Sequence, residues 1–214
     1  SNTYQMSAQA NEEALVVDPL NDLFWRFDIR RLTAEEIRDS VLSVSGNLNE
    51  KLGGPSVFPE LPEEVLSTSS QPTRVWGKSP PEEANRRSVY IKVKRSLLVP
   101  ILNQFDMANT DSTCAVRFMT MVPTQSLTML NGKFINQQAV AFAERIRQQG
   151  GSNLTDQIQF GLRLVLSRQP SIEEIAWATE FVETLTKKEQ IDKKVALDRF
   201  ALLALNLNEF IFLD

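Results

Sequence analysis

The prolines of this 214-residue chain are clustered, and their positions limit where long helices can form. A proline inside a helix removes a backbone donor and clashes with the preceding turn. Residues 47–87 contain six of the ten prolines and the pair Gly53-Gly54, whereas Pro170 is the only proline after Pro123. The sequence therefore predicts a mainly α fold: a helical bundle with a long Pro-rich irregular segment and at most a minor β element.

Capping signals place several of the predicted helices. Thr33 with Glu36, and Ser171 with Glu174, each form the pattern in which a hydroxyl and a carboxylate satisfy free N–H groups at a helix start. The last helix is predicted over 192–210. We interpret the chain as one helical domain over 1–214, divided into a polar lead-in (1–17), first helices starting at Asp18-Pro19 (18–46), a Pro-rich excursion (47–87), a strand with loops (88–122) and the helical bundle (123–214).

The excursion and the residues after it carry two further signals. A structureless segment of this length needs apolar anchors, and Val57, Phe58, Leu61, Val75 and Trp76 are the candidates.

Residues 88–95 alternate apolar and polar side chains, with Val89, Ile91 and Val93 on one face. Alternation with period two predicts a strand with one buried face.

The amino-acid composition limits the kinds of catalytic, metal-binding and ligand-binding sites that this chain can form. The chain has no histidine and one cysteine, Cys114, so Ser-His-Asp triads, Cys-His catalysis and histidine-ligated zinc are excluded within it. The net charge of −4 argues against nucleic-acid binding, which depends on basic residues at phosphates. No apolar run approaches the roughly 18 residues that span a bilayer. We predict no cofactor in this chain and no membrane span.

One short stretch gathers oxygen ligands of the type that hard cations prefer. Asp106, Asn109, Asp111 and Ser112 lie within seven residues. The spacing lacks the alternating acids and the glycine of a calcium-binding loop, and Asx turns explain the same residues. We therefore predict no metal site and keep these residues as alternative candidates.

The C-terminal helix carries a polar group within an apolar sequence. Asn206, Asn208 and Glu209 fall in this stretch, and buried amides and carboxylates need partners. We expect an arginine to pair with them and hold the helices in register, with a ligand or partner site as the alternative. The candidate arginines are Arg26, Arg31, Arg87 and Arg117.

Several strings of the sequence together resemble a known family. They are Asp18-Pro-Leu-Asn-Asp-Leu-Phe-Trp-Arg26, Arg31-Leu-Thr-Ala-Glu-Glu-Ile-Arg-Asp39, Gly53-Gly-Pro-Ser56, Asn85-Arg-Arg-Ser-Val-Tyr90, Phe105-Asp106, Pro123-Thr-Gln125, Leu130-Asn131 and Asn206-Leu-Asn-Glu-Phe-Ile-Phe-Leu-Asp214. The chain looks like the C-terminal planctomycete-specific domain of unknown function that accompanies planctomycete cytochrome-c-like domains. The resemblance implies a long exported parent protein, periplasmic or at the cell surface. It also implies haem c in an upstream domain and sulfatase-like exported neighbours. It assigns no catalytic residue.

Two hypotheses of function follow. In the first, the chain is a non-catalytic docking module for its own upstream domains or an exported partner, using Phe58, Trp76 and the polar C-terminal residues. In the second, it is part of an extracellular polysaccharide-processing enzyme or a carbohydrate-binding unit. Arg86, Arg87 and Arg95 would then recognise sulfate, which suits the planar donors of arginine. Internal pairing of these arginines with carboxylates is the alternative that we favour.

Overall fold

Helices make up most of the computed structural model, which describes residues 2, 5–67, 76–111 and 113–213. Its sheet has two short strands, so the predicted mainly α class is confirmed. The elements are α1 (Glu12–Val17), β1 (Arg30–Arg31), α2 (Ala34–Ser45), α3 (Glu63–Leu66), α4 (Pro81–Ala84), a 3₁₀ turn (Ser88–Tyr90), α5 (Pro100–Gln104), α6 (Pro123–Asn131), α7 (Lys133–Gln149), α8 (Leu154–Leu166), α9 (Ile172–Lys187), α10 (Lys193–Ala204), α11 (Asn208–Ile211) and β2 (Phe212–Leu213).

Helix α7 lies at the centre and packs against α2, α6, α8 and α10. Its buried side chains follow the three-and-four spacing of one helix face and are fully enclosed: Ile135, Ala139, Phe142, Ala143 and Ile146. Phe200 of helix α10 is buried in the same core. None of the helices within the described ranges is long and apolar enough to cross a membrane.

Both predicted capping boxes are confirmed. Thr33 Oγ1 accepts from the Glu36 N–H and the Glu36 carboxylate accepts from the Thr33 N–H at 2.7 Å, which starts α2. Ser171 and Glu174 start α9 in the same way. Gly46, in the left-handed conformation, ends α2. Local hydrogen bonding therefore defines these helix ends where the sequence places them.

Apolar anchors hold the Pro-rich excursion against the bundle. Trp76 is buried, and its Nε1 donates to the Pro59 carbonyl oxygen at 2.9 Å. Its ring packs edge-on against the Phe58 ring, with 5.4 Å between the ring centroids. Val57 and Leu61 are buried as well. The predicted anchoring role of these four residues is confirmed, while Val75 lies outside the described residues.

The N-terminal helix is not where the sequence predicts it. Helix α1 ends at Val17, and residues 18–29 form turns in which Asp18 accepts from the Asp22 and Leu23 N–H groups. The carboxylate of Asp18 therefore organises a turn rather than a helix start. The apolar side chains of Leu20, Leu23 and Phe24 in these turns are exposed.

The predicted strand over 88–95 is also wrong. Residues 88–90 form a 3₁₀ turn, because the Ser88 N–H and hydroxyl both donate to Asp39 Oδ1, at 2.8 and 2.7 Å. Ile91 is buried, but Val89 is largely exposed and Val93 about half exposed. The periodic pattern therefore marks one buried residue and no strand.

The last predicted helix is interrupted. Helix α10 ends at Ala204, and the Asn206 side-chain amide donates to the Leu202 and Met129 carbonyl oxygens at 2.8 and 3.3 Å. After this turn, α11 and β2 follow, and β2 pairs antiparallel with β1 through Arg30 with Leu213 and Arg31 with Phe212. An asparagine that binds nearby carbonyl oxygens competes with continued helix, which explains the break.

A close crossing of helices leads to a first prediction. A Cβ atom at Gly161 in α8 would lie 2.8 Å from Ile146 Cδ1 and 3.2 Å from Phe200 Cε1. Gly161→Ala gains about 1 kcal/mol of helix propensity, but overpacking a core costs roughly 1–3 kcal/mol. We expect a net loss of about 1 kcal/mol in the free energy of unfolding, measured by urea denaturation.

The matched control is Gln159→Ala, an exposed position on the same helix. It should leave the free energy of unfolding within about 0.5 kcal/mol of the wild type. A Gly161→Ala protein that is more stable than the wild type would contradict the inferred tight packing at this crossing.

Candidate docking groove

A groove of about 680 Å³ opens between α8, α9, α11 and the two-stranded sheet. Its size lies within the 300–1,000 Å³ range of ligand pockets. The lining is mainly apolar, with a partly exposed indole among aliphatic side chains and three polar residues. The apolar members are Ile29, Leu162, Leu166, Trp177, Leu207 and Phe212, and the polar members are Glu174, Asn208 and Glu209.

Arg168 joins two walls of this groove. Its guanidinium binds the Glu174 carboxylate with nitrogen–oxygen distances of 2.6 and 2.9 Å and the Glu209 carboxylate with distances of 2.6 and 2.7 Å. Both contacts are bidentate, the geometry in which arginine binds carboxylates most strongly. Ser167, with a φ of 55°, ends α8 in the left-handed conformation, so that Arg168 lies in the short connection to α9.

The pKa values of Glu174 and Arg168 are shifted by their contacts. Hydrogen bonds from Arg168 lower the pKa of Glu174 to about 2, and the two carboxylates raise the pKa of Arg168. A general acid must hold a proton near neutral pH, which requires a raised pKa. Glu174 is therefore suited to holding the groove together and not to donating a proton.

Two of the three predicted polar C-terminal residues lie at the groove. Asn208 and Glu209 line it, whereas Asn206 lies in the turn that ends α10. The arginine that pairs with Glu209 is Arg168, and the four candidate arginines of the sequence analysis were the wrong ones. Arg168 stands three residues before Ser171, the first residue of a capping box whose glutamate it binds, a signal that could have identified it.

The arginines proposed for sulfate recognition are engaged within the protein. Arg86 is fully buried and donates to the Lys51, Gly53 and Pro55 carbonyl oxygens, while its guanidinium stacks on Tyr90 at 4.0 Å. Gly53 and Gly54 both have positive φ, which directs the backbone around this guanidinium. Arg86 is therefore a structural residue of the Pro-rich excursion.

The other two candidate arginines are exposed and lie beside carboxylates. Arg87 Nε lies 3.6 Å from Asp39 Oδ2, and Arg95 Nε lies 2.9 Å from Asp111 Oδ1. Neither residue lines the groove. Each of the three arginines thus contacts a different set of residues within the protein.

A second buried arginine supports the same region from the bundle. Arg38 in α2 donates to the Ala84 and Arg86 carbonyl oxygens at 2.8 and 3.0 Å, and to Ser88 Oγ at 3.2 Å. Burial lowers the pKa of Arg38 to about 10, with Asp39 acting in the opposite direction. At neutral pH the guanidinium stays charged and its donors are directed at backbone oxygens.

The candidate metal-binding residues are used in internal hydrogen bonds. Asp106 binds Arg31 at 2.7 Å and accepts from the Thr120 N–H at 2.8 Å, while Asn109 accepts from the Asp111 N–H at 2.8 Å. No group of three metal-ligating side chains occurs among the residues that the structure describes, and Ser112 lies outside them. The turn interpretation accounts for these contacts.

Sequence comparison defines the class of protein to which this helical fold belongs. The chain is a member of a domain family of unknown function. Specifically, it belongs to the PSD1 family, described as protein of unknown function (DUF1553), whose model matches residues 1–182. The predicted membership of a domain family of unknown function is thereby confirmed. No curated protein and no solved structure matches the chain.

The contrast between adjacent arginines gives a second prediction. Arg86→Met would leave the carbonyl oxygens of Lys51, Gly53 and Pro55 without a donor from this side chain. Hydrogen bonds from a charged group contribute about 1.5–3 kcal/mol each, so we expect a loss of roughly 2–4 kcal/mol in the free energy of unfolding. Arg87→Met, at the exposed neighbour, should cost less than about 1 kcal/mol. Equal losses in guanidinium chloride denaturation would contradict the assigned role of Arg86.

Acid titration of the Arg168 ion pairs gives a third prediction. A lowered pKa stabilises the fold above the ordinary value of 4.5, and this contribution is lost as the pH falls through about 2. Glu174→Gln keeps the capping acceptor but removes the charge. We expect it to be about 1 kcal/mol less stable at pH 7, a modest value because the pair is partly exposed.

The difference between Glu174→Gln and the wild type should shrink as the pH is lowered from 5 towards 2, measured by thermal unfolding at each pH. Glu180→Gln, which changes an exposed carboxylate on the same helix, is the control and should show no such convergence. A pH-independent difference for Glu174→Gln would mean that the ion pair is not its cause.

Proposed function

We propose that this chain is a docking module that binds other domains of its own parent polypeptide, within a larger exported protein. The observation that carries the proposal is the groove, whose lining is mainly apolar and whose two glutamates, Glu174 and Glu209, are bound by Arg168. Export and the neighbouring domains are inferred from the family resemblance.

The groove has the composition of a protein-binding surface. Trp177 is 39 % exposed, and partly exposed tryptophan beside aliphatic side chains is typical of residues that dominate binding energy. Ile29, which lines one wall, is the last residue of the N-terminal turns (18–29), in which Leu20, Leu23 and Phe24 are also exposed. Apolar surface of this extent on a monomer usually marks a contact with a partner.

The charges at the groove favour a polypeptide that carries a positive group next to its apolar residues. Glu174 and Glu209 contribute two negative charges, and Arg168 contributes one positive charge. Asn208 is exposed at the same wall and offers both a donor and an acceptor for a backbone. Such a rim supplies orientation, while the apolar lining supplies most of the affinity.

Binding of the separately expressed remainder of the parent polypeptide, measured by isothermal titration calorimetry, tests the proposal. We expect a one-to-one complex, and Trp177→Ala should weaken it by about 2 kcal/mol or roughly 30-fold. The matched control is Val195→Ala, which truncates a similarly exposed apolar residue outside the groove lining. Circular dichroism of both variants verifies that they remain folded.

Neutral and sulfated oligosaccharides form the comparison arm of the same titration, because an exposed indole beside an amide and a carboxylate also suits a sugar ring. Heat from oligosaccharides alone, abolished by Trp177→Ala, would replace docking by the carbohydrate-binding alternative. A parent complex that is unaffected by Trp177→Ala would show that docking does not use the groove.

A further inference from the structure

The carboxylate of Asp106 joins three separate parts of the chain. It accepts from Arg31 Nη2 at 2.7 Å, from the Thr120 N–H and hydroxyl at 2.8 and 2.9 Å, and from Gln125 Nε2 at 3.4 Å. Arg31 belongs to β1, Thr120 to the segment before α6, and Gln125 to the first turn of α6. One carboxylate therefore connects the two-stranded sheet to the start of α6.

The backbone position of Asp106 is one that glycine usually takes. Asp106 follows Phe105, which ends α5, and it has a φ of 62° in the left-handed region. The next amide, that of Met107, donates back to the Leu102 carbonyl oxygen at 3.0 Å, as at many helix ends. An aspartate at this position directs its carboxylate towards Arg31, which a glycine could not do.

The guanidinium of Arg31 depends on Asp106 for its counter-charge. The Arg31 side chain is 4 % exposed, and its Nη2 also lies 3.4 Å from the Phe105 carbonyl oxygen. Its Nε and Nη1 have no hydrogen-bond partner among the described residues. A buried charge that loses its partner is strongly unfavourable. Removing the charge of Asp106 would therefore drive the Arg31 guanidinium towards solvent.

The backbone of Arg31 supports one wall of the groove. Arg31 is paired with Phe212 across the sheet, and Phe212 lines the groove together with Ile29, two residues before Arg31. The Leu32 N–H continues the ladder by donating to the Ile211 carbonyl oxygen at 2.8 Å. Residues that lie directly opposite each other on antiparallel strands are close neighbours. A displacement of Arg31 would therefore displace Phe212 as well.

We propose that Asp106 is a positioning residue of the groove: it fixes Arg31 in β1, and β1 fixes the wall that Phe212 forms. As a statement about docking, this inference rests on the proposed function. Two other supports do not involve Asp106, since the capping box of Thr33 starts α2 and Phe210 of α11 is buried in the core. Loss of the Asp106 charge therefore loosens the groove wall and leaves the helical bundle folded.

The variant Asp106→Asn tests this role, because asparagine has nearly the same shape but lacks the charge that holds Arg31. In the calorimetric titration with the remainder of the parent polypeptide, we expect this variant to bind roughly tenfold more weakly than the wild type. The matched control is Asp111→Asn, which changes an exposed carboxylate paired with Arg95 in the same loop. It should bind like the wild type.

A double-variant cycle with Trp177→Ala separates an effect on the groove from an effect elsewhere. If Asp106 acts through the groove, Asp106→Asn should weaken binding much less in the Trp177→Ala background, because the two changes affect one contact surface. The same factor in both backgrounds would overturn the proposal, since independent effects add. Wild-type affinity of Asp106→Asn would also overturn it and would leave the docking function intact.

Hydrogen exchange of the unbound chain tests the same role without a partner. The Leu32 amide, which belongs to the ladder, should exchange at least about tenfold faster in Asp106→Asn, whereas the amides of α7 should exchange as in the wild type. This local increase would support the positioning role even where the remainder of the parent does not bind, a result that contradicts docking alone. Unchanged exchange at Leu32, or an equal increase throughout α7, would overturn the proposal.

Discussion

Two buried guanidiniums, those of Arg38 and Arg86, make the irregular Pro-rich excursion compatible with a packed interior. A backbone carbonyl oxygen that no helix or strand uses needs another donor, and the oxygens of Lys51, Gly53 and Pro55 lie outside the helices and strands. Arg86 supplies donors to the oxygens of Lys51, Gly53 and Pro55, and Arg38 supplies them to Ala84 and Arg86. The arginines therefore take the place of secondary structure between the bundle and the excursion. A charge in the interior is tolerated here because its donors meet backbone oxygens.

Features that depend on neighbouring residues were predictable from the sequence. The capping pairs at Thr33 and Ser171, the end of α2 and the helical character after Pro123 all follow from hydrogen bonding within a few residues. The prediction of a helix starting at Asp18 failed because of local hydrogen bonding as well. Asp18 next to a proline suits a helix start, but its carboxylate accepts from the N–H groups of the residues four and five positions later and makes a turn. Spacing alone does not distinguish an exposed apolar face from a buried one.

The candidate groove could not be predicted from the sequence because it depends on contacts between residues that are far apart along the chain. Arg168 and Glu209 are separated by 41 residues, and they meet only because α8 and α11 pack side by side. Asn208 and Glu209 were recognisable as polar residues in an apolar stretch, but their partner required the tertiary arrangement. The same applies to Arg86, whose burial contradicts the ordinary expectation for an arginine in a loop.

The two-stranded sheet joins residues 30–31 to residues 212–213, and this has a mechanical consequence. The N-terminal end of β1 lies beside the C-terminal end of β2, so tension between the two chain ends pulls both strands from the same side. In that geometry the ladder opens one hydrogen bond at a time, which resists force much less than shearing all bonds together. Because Phe212 of β2 and Leu207 before α11 form part of the groove wall, tension on the termini would dismantle the groove while leaving the contacts of α7 intact.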